Sequence, residues 1–364
     1  MHHFEYRNDA LFCEGVSIQA VADKVGTPFY LYSHATLTRH FNVFSEAFKN
    51  VDKLVCFSAK ANSSMAILKL FQQLGGGLDI VSGGELFRGL HVGYSPDRIV
   101  YSGVGKRVDE IDYALETGIR MFNIESLEEL HQINERAATL NKKAPVAIRV
   151  NPDVDPKTHP YISTGLKKNK FGIDTQAALE AYKIAKEMDH ISVVGLDCHI
   201  GSQITEVGPF RDTMKNLLAL IEELKKLGIS IQYLDMGGGL GITYGDESPP
   251  DPAEYATVLL EATKGTGLKL ILEPGRVIVG NAGILVARVL YRKIGQMKNF
   301  IITDAGMNDL VRPSLYKAFH HIQPVKRTGG PSITADVVGP ICESGDFLAA
   351  DRELESLTAG DLLA

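Results

Sequence analysis

A lysine closes the apolar run "LVCFSAKANSS" at residues 54–64. An ammonium at the mouth of a buried strand is costly unless a counter-charge meets it or the amine is bonded to something else. That lysine is Lys60. Other reactive groups stand at the ends of similar runs. Asp79 and Ser82 end "GLDIVS", Arg149 and Asn151 lie in "IRVNP", and His199, Gly201 and Ser202 lie in "HIGSQ". Gly237, Gly238, Gly239 and Gly241 form "MGGGLG", and Glu273, Gly275 and Arg276 belong to "EPGR". Each has an ordinary explanation alone: a surface lysine, a core histidine, a glycine turn, a glutamate opening a helix. Together they supply an amine, an imidazole, bared backbone amides and a carboxylate. The chemistry that uses this set is that of pyridoxal phosphate. A lysine in an apolar site, with lowered pKa, condenses with the cofactor aldehyde. Glycine amides hold the phosphate. A carboxylate keeps the pyridine nitrogen protonated, and a flat side chain lies against the ring. Lys60, the glycines of 237–241, Glu273 and His199 are the candidates for these four parts.

Those groups converge only if the chain presents its strand ends on one rim. Eight short apolar runs alternate with helical stretches: 53–58, 77–82, 99–103, 120–125, 145–150, 193–199, 231–236 and 269–273. "MAILKLFQQL" and "ESLEELHQINERAATL" carry apolar residues at helical spacing, as does "RDTMKNLLALIEELKKLG", which stops at Gly228. This alternation predicts a closed parallel (β/α)8 barrel of the TIM type, whose catalytic groups belong at the C-terminal strand ends. An open doubly wound sheet is the competitor, but no GxGxxG follows the first strand. A helix over 34–49 precedes that strand and is expected to pack against the barrel. Beyond 280 the runs "GILVARVLYRKIG", "NFIITDAG", "HIQPVKR", "PSITADVVGP" and "DFLAADRELE" read as strands between Gly and Pro. The expected division is a barrel over 33–280 and a mostly β domain from 1–32 with 281–364.

Composition narrows the function classes. The chain has 364 residues, 45% of them apolar, enough for sizeable cores. A net charge of −6 with no Lys/Arg run argues against nucleic-acid binding. No apolar run approaches a membrane span. The four cysteines, Cys13, Cys56, Cys198 and Cys342, form no CxxC pair, so neither a metal site nor a disulfide framework is expected. A cytoplasmic protein acting on a small molecule is the expectation.

The motifs "FSAKAN", "HIGSQ", "GGGLG", "EPGR", "RPSLY" and "GPICESGD", in this order, resemble the diaminopimelate decarboxylase family. It is one of the barrel-type pyridoxal phosphate decarboxylases, which include ornithine and arginine decarboxylases. The resemblance runs from about residue 10 to the end of the chain. It implies an alanine racemase-like (fold type III) architecture and decarboxylation of meso-2,6-diaminopimelate to L-lysine. It implies that Lys60 carries the cofactor, His199 stacks on its ring and Glu273 meets its nitrogen. Ser202, Gly237, Gly238, Gly239, Gly275 and Arg276 would hold the phosphate. Arg276, Arg312 and Tyr316 would bind the substrate's distal carboxylate, and Glu343 its ammonium. Cys342 would reprotonate the product, reaching the site from the other subunit of a homodimer. Forked arginine donors suit a carboxylate-bearing tail, so "RPSLY" favours diaminopimelate over ornithine, arginine or carboxynorspermidine. Family members continue past "LTAGDLLA" to a glycine-tyrosine motif, and Tyr101, Tyr161 and Tyr316 are not in that context. The chain therefore reads as truncated, and an inactive cofactor-binding homologue is a further alternative.

Overall fold

The structure is a computed structural model that describes residues 2–156, 158, 164 and 169–364; Tyr161 lies outside them. The chain divides into two compact units. One comprises Thr38–Ile242 and Ser248–Gly280, the other Met1–Leu37, Thr243–Glu247 and Asn281–Ala364. The first boundary falls at 37/38 rather than 32/33, and the short segment Thr243–Glu247 clusters with the β-rich unit.

In the first unit eight parallel strands close into a barrel: Lys53–Ser58, Gly77–Ile80, Ile99–Tyr101, Met121–Ile124, Ala144–Asn151, Ile191–Asp197, Tyr233–Asp235 and Lys269–Leu272. Closure comes from pairing of the last strand with the first, Leu270 beside Lys53 and Leu272 beside Val55. A two-residue strand, Ile173–Asp174, adds to Ala144–Asn151. The strands read as near-continuous apolar runs because helices cover their outer face and side chains fill the inner one. Local chemistry sets the helix ends. Ser82 and Ser126 accept hydrogen bonds from Glu85 N and Glu129 N, both at 3.2 Å, and so cap the helices Gly83–His91 and Leu127–Thr139. Ser82, a strand-end candidate in the sequence, is thus a helix cap. The helix Gly208–Lys226 stops where Gly228 takes φ +69°, a left-handed conformation that glycine adopts without penalty.

The helix His34–Ala47 packs on the barrel's helices through aromatic rings. Phe41 stacks on Phe71 at 5.3 Å, and Phe44 meets Tyr255 at a tilt at 6.3 Å. It therefore bridges the helices Met65–Gln73 and Pro252–Thr263. Inside the barrel, Cys56, Val100, Met121, Ala147 and Ile271 form an apolar cluster with no solvent exposure.

The β-rich unit is built on a six-stranded sheet. Its order is Phe347–Glu355, Ser332–Val338, Asn299–Thr303, Gly283–Ile294 and Leu362–Leu363. The N-terminal strand Phe29–Tyr32 also pairs antiparallel with Gly283–Val286. A small meander, Phe4–Arg7, Ala10–Cys13 and Val16–Ser17, packs with the helix Ile18–Val25. "HIQPVKR" forms only isolated bridges, Ala10 with Lys326 and Pro324 with Leu363. Main-chain hydrogen bonds flank Pro324, from Gln323 N to the Ala364 carbonyl at 2.9 Å and from Val325 N to the Leu362 carbonyl at 2.8 Å.

Candidate active site

Side chains two apart on a strand share a face. Each barrel strand therefore carries the residue above its apolar layer on the same inner face. Two steps beyond Cys56, Gly77, Val100, Met121, Ala147, Gly195, Tyr233 and Ile271 come Ser58, Asp79, Ser102, Asn123, Arg149, Asp197, Asp235 and Glu273. All eight of these upper residues are buried and polar. They are also bonded to one another. Ser58 Oγ donates to Asp79 Oδ2 at 2.8 Å and to the Glu273 carbonyl at 3.0 Å. Ser102 Oγ donates to Glu273 Oε1 at 3.1 Å. Asn123 Nδ2 reaches Ser102 Oγ (3.1 Å), Asp235 Oδ2 (3.2 Å) and Glu273 Oε1 (3.3 Å). Arg149 pairs with Glu125 at 2.6 Å and lies 3.9 Å from Asp197. Asp197, Asp235 and Glu273 each place a carboxylate oxygen within 4.8 Å of the others.

Lys60 stands where this layer meets solvent. Its side chain keeps 48% of its surface exposed, yet its Nζ donates to the fully buried Asp79 Oδ2 at 2.7 Å. Burial is the largest influence on this amine and opposes its charge. The Asp79 and Glu273 carboxylates and the hydrogen bond to Asp79 outweigh it, so the amine sits above its ordinary pKa. The lowered pKa expected of an apolar-site lysine is therefore not found, because the site is apolar only below the rim. Asp79 answers the question that "FSAKAN" raises: it is the counter-charge. Its other oxygen, Oδ1, is buried without a hydrogen-bond partner.

Among the acids, burial pushes Glu273 well above the usual carboxylate range, and Asp235, Asp79 and Asp197 push it further. Asp197 is raised by burial and then by Asp235, against the pull of Arg149. His199 is held well below the ordinary imidazole value, first by burial, then by Arg149 and Lys60, so its ring is neutral. Its Nδ1 accepts the Gly238 N–H at 3.1 Å, and Arg149 Nη2 and Thr164 Oγ1 fix its carbonyl at 3.3 and 2.7 Å.

The glycine run follows from close approach. A Cβ on Gly237, whose φ is +59°, would stand 2.7 Å from His199 Nδ1, and one on Gly238 would stand 2.3 Å from the Glu273 carbonyl oxygen. Only glycine lets these strand ends meet. The Gly237 and Gly238 amides are already engaged, by Asp235 Oδ1 at 3.0 Å and by His199. Arg276 opens the helix Arg276–Val279 and donates to Ser202 Oγ from Nε (3.3 Å) and Nη2 (3.0 Å). Lys60, His199, Ser202, Gly237, Gly238, Gly239, Glu273, Gly275 and Arg276 thus all belong to the barrel unit.

Arg312, Tyr316, Cys342 and Glu343 belong to the β-rich unit. Arg312 and Tyr316 lie on the helix Arg312–Tyr316. The Arg312 guanidinium lies 4.3 Å from the centre of the Tyr244 ring and donates to His320 Nε2 at 3.0 Å. Cys342 and Glu343 are exposed in a turn that the same unit ties to that helix: Ser314 Oγ donates to the Gly345 carbonyl at 2.5 Å. Buried Asp346 shapes the turn by accepting from Met307 N (2.6 Å) and Ile341 N (2.7 Å).

The barrel's donor set suits pyridoxal phosphate: an amine at the rim, a buried carboxyl, a neutral imidazole, and a hydroxyl beside a guanidinium. The motifs assign no role to Asp79, Ser102, Asn123, Asp197 or Asp235. The available signal was a single polar residue at the end of each apolar run, in step with its neighbours.

Comparison with known proteins agrees. The family described as "Pyridoxal-dependent decarboxylase, pyridoxal binding domain" matches residues 34–280. The diaminopimelate decarboxylase of Haemophilus influenzae is 50% identical over 100% of this chain and 88% of its own length. That of Pseudomonas aeruginosa is likewise 50% identical, over 100% and 88%. The chain belongs to the diaminopimelate decarboxylase family. Its cofactor is pyridoxal phosphate and its reaction class is decarboxylation. Solved family members share its fold. Diaminopimelate decarboxylase from Helicobacter pylori complexed with L-lysine is 43% identical with a TM-score of 0.91, covering 95% of this chain and 86% of that one. The M. jannaschii protein in co-complex with L-lysine is 40% identical with a TM-score of 0.93, covering 99% and 86%. Among the described residues, no helix is long and apolar enough to cross a membrane.

Proposed function

We propose that this chain releases carbon dioxide from meso-2,6-diaminopimelate to give L-lysine, the last step of lysine biosynthesis by that route. The observation that carries the reading is the gathering of Lys60, His199, Glu273 and the Gly237–Gly239 run on one barrel, in a chain half-identical to enzymes of that name.

Pyridoxal phosphate, when bound, supplies a conjugated ring that accepts the electron pair left as carbon dioxide departs. The chain's residues do the rest. Lys60 would hold the cofactor covalently, and its Nζ must first lose the proton that Asp79 Oδ2, 2.7 Å away, helps it keep. Neutral His199 offers a flat face without a competing positive charge. Glu273 would meet the pyridine nitrogen. Ser202, with the amides of Gly239, Gly275 and Arg276, holds the phosphate. Gly237 and Gly238 contribute space, since their amides serve Asp235 and His199. Arg276, Arg312 and Tyr316 take the distal carboxylate, Glu343 the distal ammonium, and Cys342 returns a proton to the product carbon. These last four act in a cytoplasmic homodimer whose active sites are shared between subunits. Aligning the scissile bond and meeting the developing charge are the protein's contributions to rate.

The test is product analysis of the cofactor-loaded chain with meso-diaminopimelate, ornithine and arginine offered separately. Equal amounts of carbon dioxide and lysine from meso-diaminopimelate alone are expected. Faster carbon dioxide release from ornithine or arginine overturns the substrate assignment.

A further inference from the structure

Two carboxylic acids lie side by side in the upper layer, and their partners differ. Glu273 Oε1 receives the Ser102 hydroxyl at 3.1 Å and a share of the Asn123 amide at 3.3 Å. Asp235 receives the rigid main-chain N–H of Gly237 on Oδ1 at 3.0 Å and the Asn123 amide on Oδ2 at 3.2 Å. Both residues are at most 5% exposed. Neighbouring buried carboxylates do not both ionise, and the one with fixed donors on both oxygens keeps the charge. That one is Asp235, so the proton stays on Glu273.

The surrounding charges do not undo this. Asp79 is matched by Lys60 at 2.7 Å, and Asp197 has Arg149 at 3.9 Å. The Cys56 thiol is pushed up by burial and stays neutral, as does the His199 ring. The hydrogen-bond partners of Asp235 are neutral groups, the Asn123 and Gly237 amides and the Glu273 side chain itself, so its field reaches Glu273 without a cation between them.

We propose that Asp235 is a positioning residue for Glu273: its negative charge, held in place by Asn123 and the Gly237 amide, keeps one proton bound between the Glu273 carboxyl and the pyridine nitrogen of the cofactor at neutral pH and above. This rests on the reading that Glu273 meets that nitrogen. When the nitrogen arrives unprotonated, the Glu273 O–H bond breaks, an N–H bond forms, and the electron pair stays on the Glu273 oxygen. The carboxylate left beside Asp235 raises the proton affinity of the pair as a whole. The upward displacement of Glu273, caused by burial and then by Asp235, agrees with this arrangement.

The experiment follows the ring nitrogen by NMR in the full chain loaded with pyridoxal phosphate labelled with ¹⁵N in the ring, titrated with pH. In the parent chain the nitrogen stays protonated into the alkaline range. Asp235→Asn, which keeps the shape and removes the charge, is expected to lower the deprotonation midpoint by roughly one pH unit or more. Asp235→Ser lowers it in the same direction and serves should the first variant not fold. Glu273→Gln abolishes the coupling, and Asp235→Asn added to Glu273→Gln changes nothing further; a merely structural role would not give this non-additivity. An unchanged midpoint in both Asp235 variants, with Glu273→Gln shifted, overturns the proposal and leaves the Glu273 reading standing. An unchanged signal in Glu273→Gln overturns both.

Discussion

The barrel interior has two levels that differ in almost every property although the same strands build them. The lower level, Cys56, Val100, Met121, Ala147 and Ile271, is wholly apolar and has no solvent exposure. Two residues further along each strand, the upper level is wholly polar and nearly as buried. The lower level gains stability from burial and tight packing. The upper level gains little, because most of its hydrogen bonds replace bonds to water and its carboxylates repel one another. A single sequence period therefore writes stability and chemistry onto adjacent rings of one wall. The two can be perturbed separately.

The largest effect is expected from Lys60→Ala, which removes the covalent anchor. Decarboxylation should fall below detection, and the visible absorbance of the lysine-bound cofactor should vanish; persistence of that absorbance would reassign the lysine. Next is a cut into the lower level. Met121→Ala should cost about 2–5 kcal/mol in denaturant unfolding while leaving the cofactor spectrum of the folded fraction intact. A lost spectrum with unchanged stability would reverse the two levels' roles. Gly238→Ala tests where they join. Its Cβ would stand 2.3 Å from the Glu273 carbonyl oxygen, so a loss of about 1–3 kcal/mol, with weaker cofactor binding by equilibrium titration, is expected.

The smallest effect concerns charge crowding. Folding raises the Asp197 carboxyl above its ordinary value, chiefly through burial and Asp235. The folded chain therefore binds this proton more tightly than the unfolded one. That contribution is full below the ordinary carboxylate pKa of about 4 and is lost as pH rises towards the folded value. Asp197→Asn has no such loss. In the cofactor-free chain, the stability of Asp197→Asn relative to the parent should thus improve between pH 5 and pH 8, on the order of 1 kcal/mol. A difference independent of pH would remove the repulsion argument.

Much of this arrangement was legible in the residues. The eight apolar runs gave the barrel and its strand order, because burial on both faces leaves an unmistakable pattern. Lys60, His199 and Glu273 could be picked out as chemistry at strand ends. Asp235 and Asn123 could not, since each sits inside a run that reads as strand and matters only through partners far along the chain. Asn123 meets Glu273 150 residues away. The Lys60 environment is hidden from the local sequence for the same reason. The run around it is apolar, but Asp79 comes from the next strand, where Ser58 pairs in register with it. "HIQPVKR" shows the opposite case, a run that reads as a strand but makes only isolated bridges, Lys326 with Ala10 and Pro324 with Leu363.

The central claim is that the upper level surrounds one cofactor anchored on Lys60. Borohydride reduction of the cofactor-loaded chain, followed by peptide mapping by mass spectrometry, tests it most directly. The pyridoxyl group should be found on Lys60 alone. Finding it on another lysine, with Lys60 unmodified, would contradict the account.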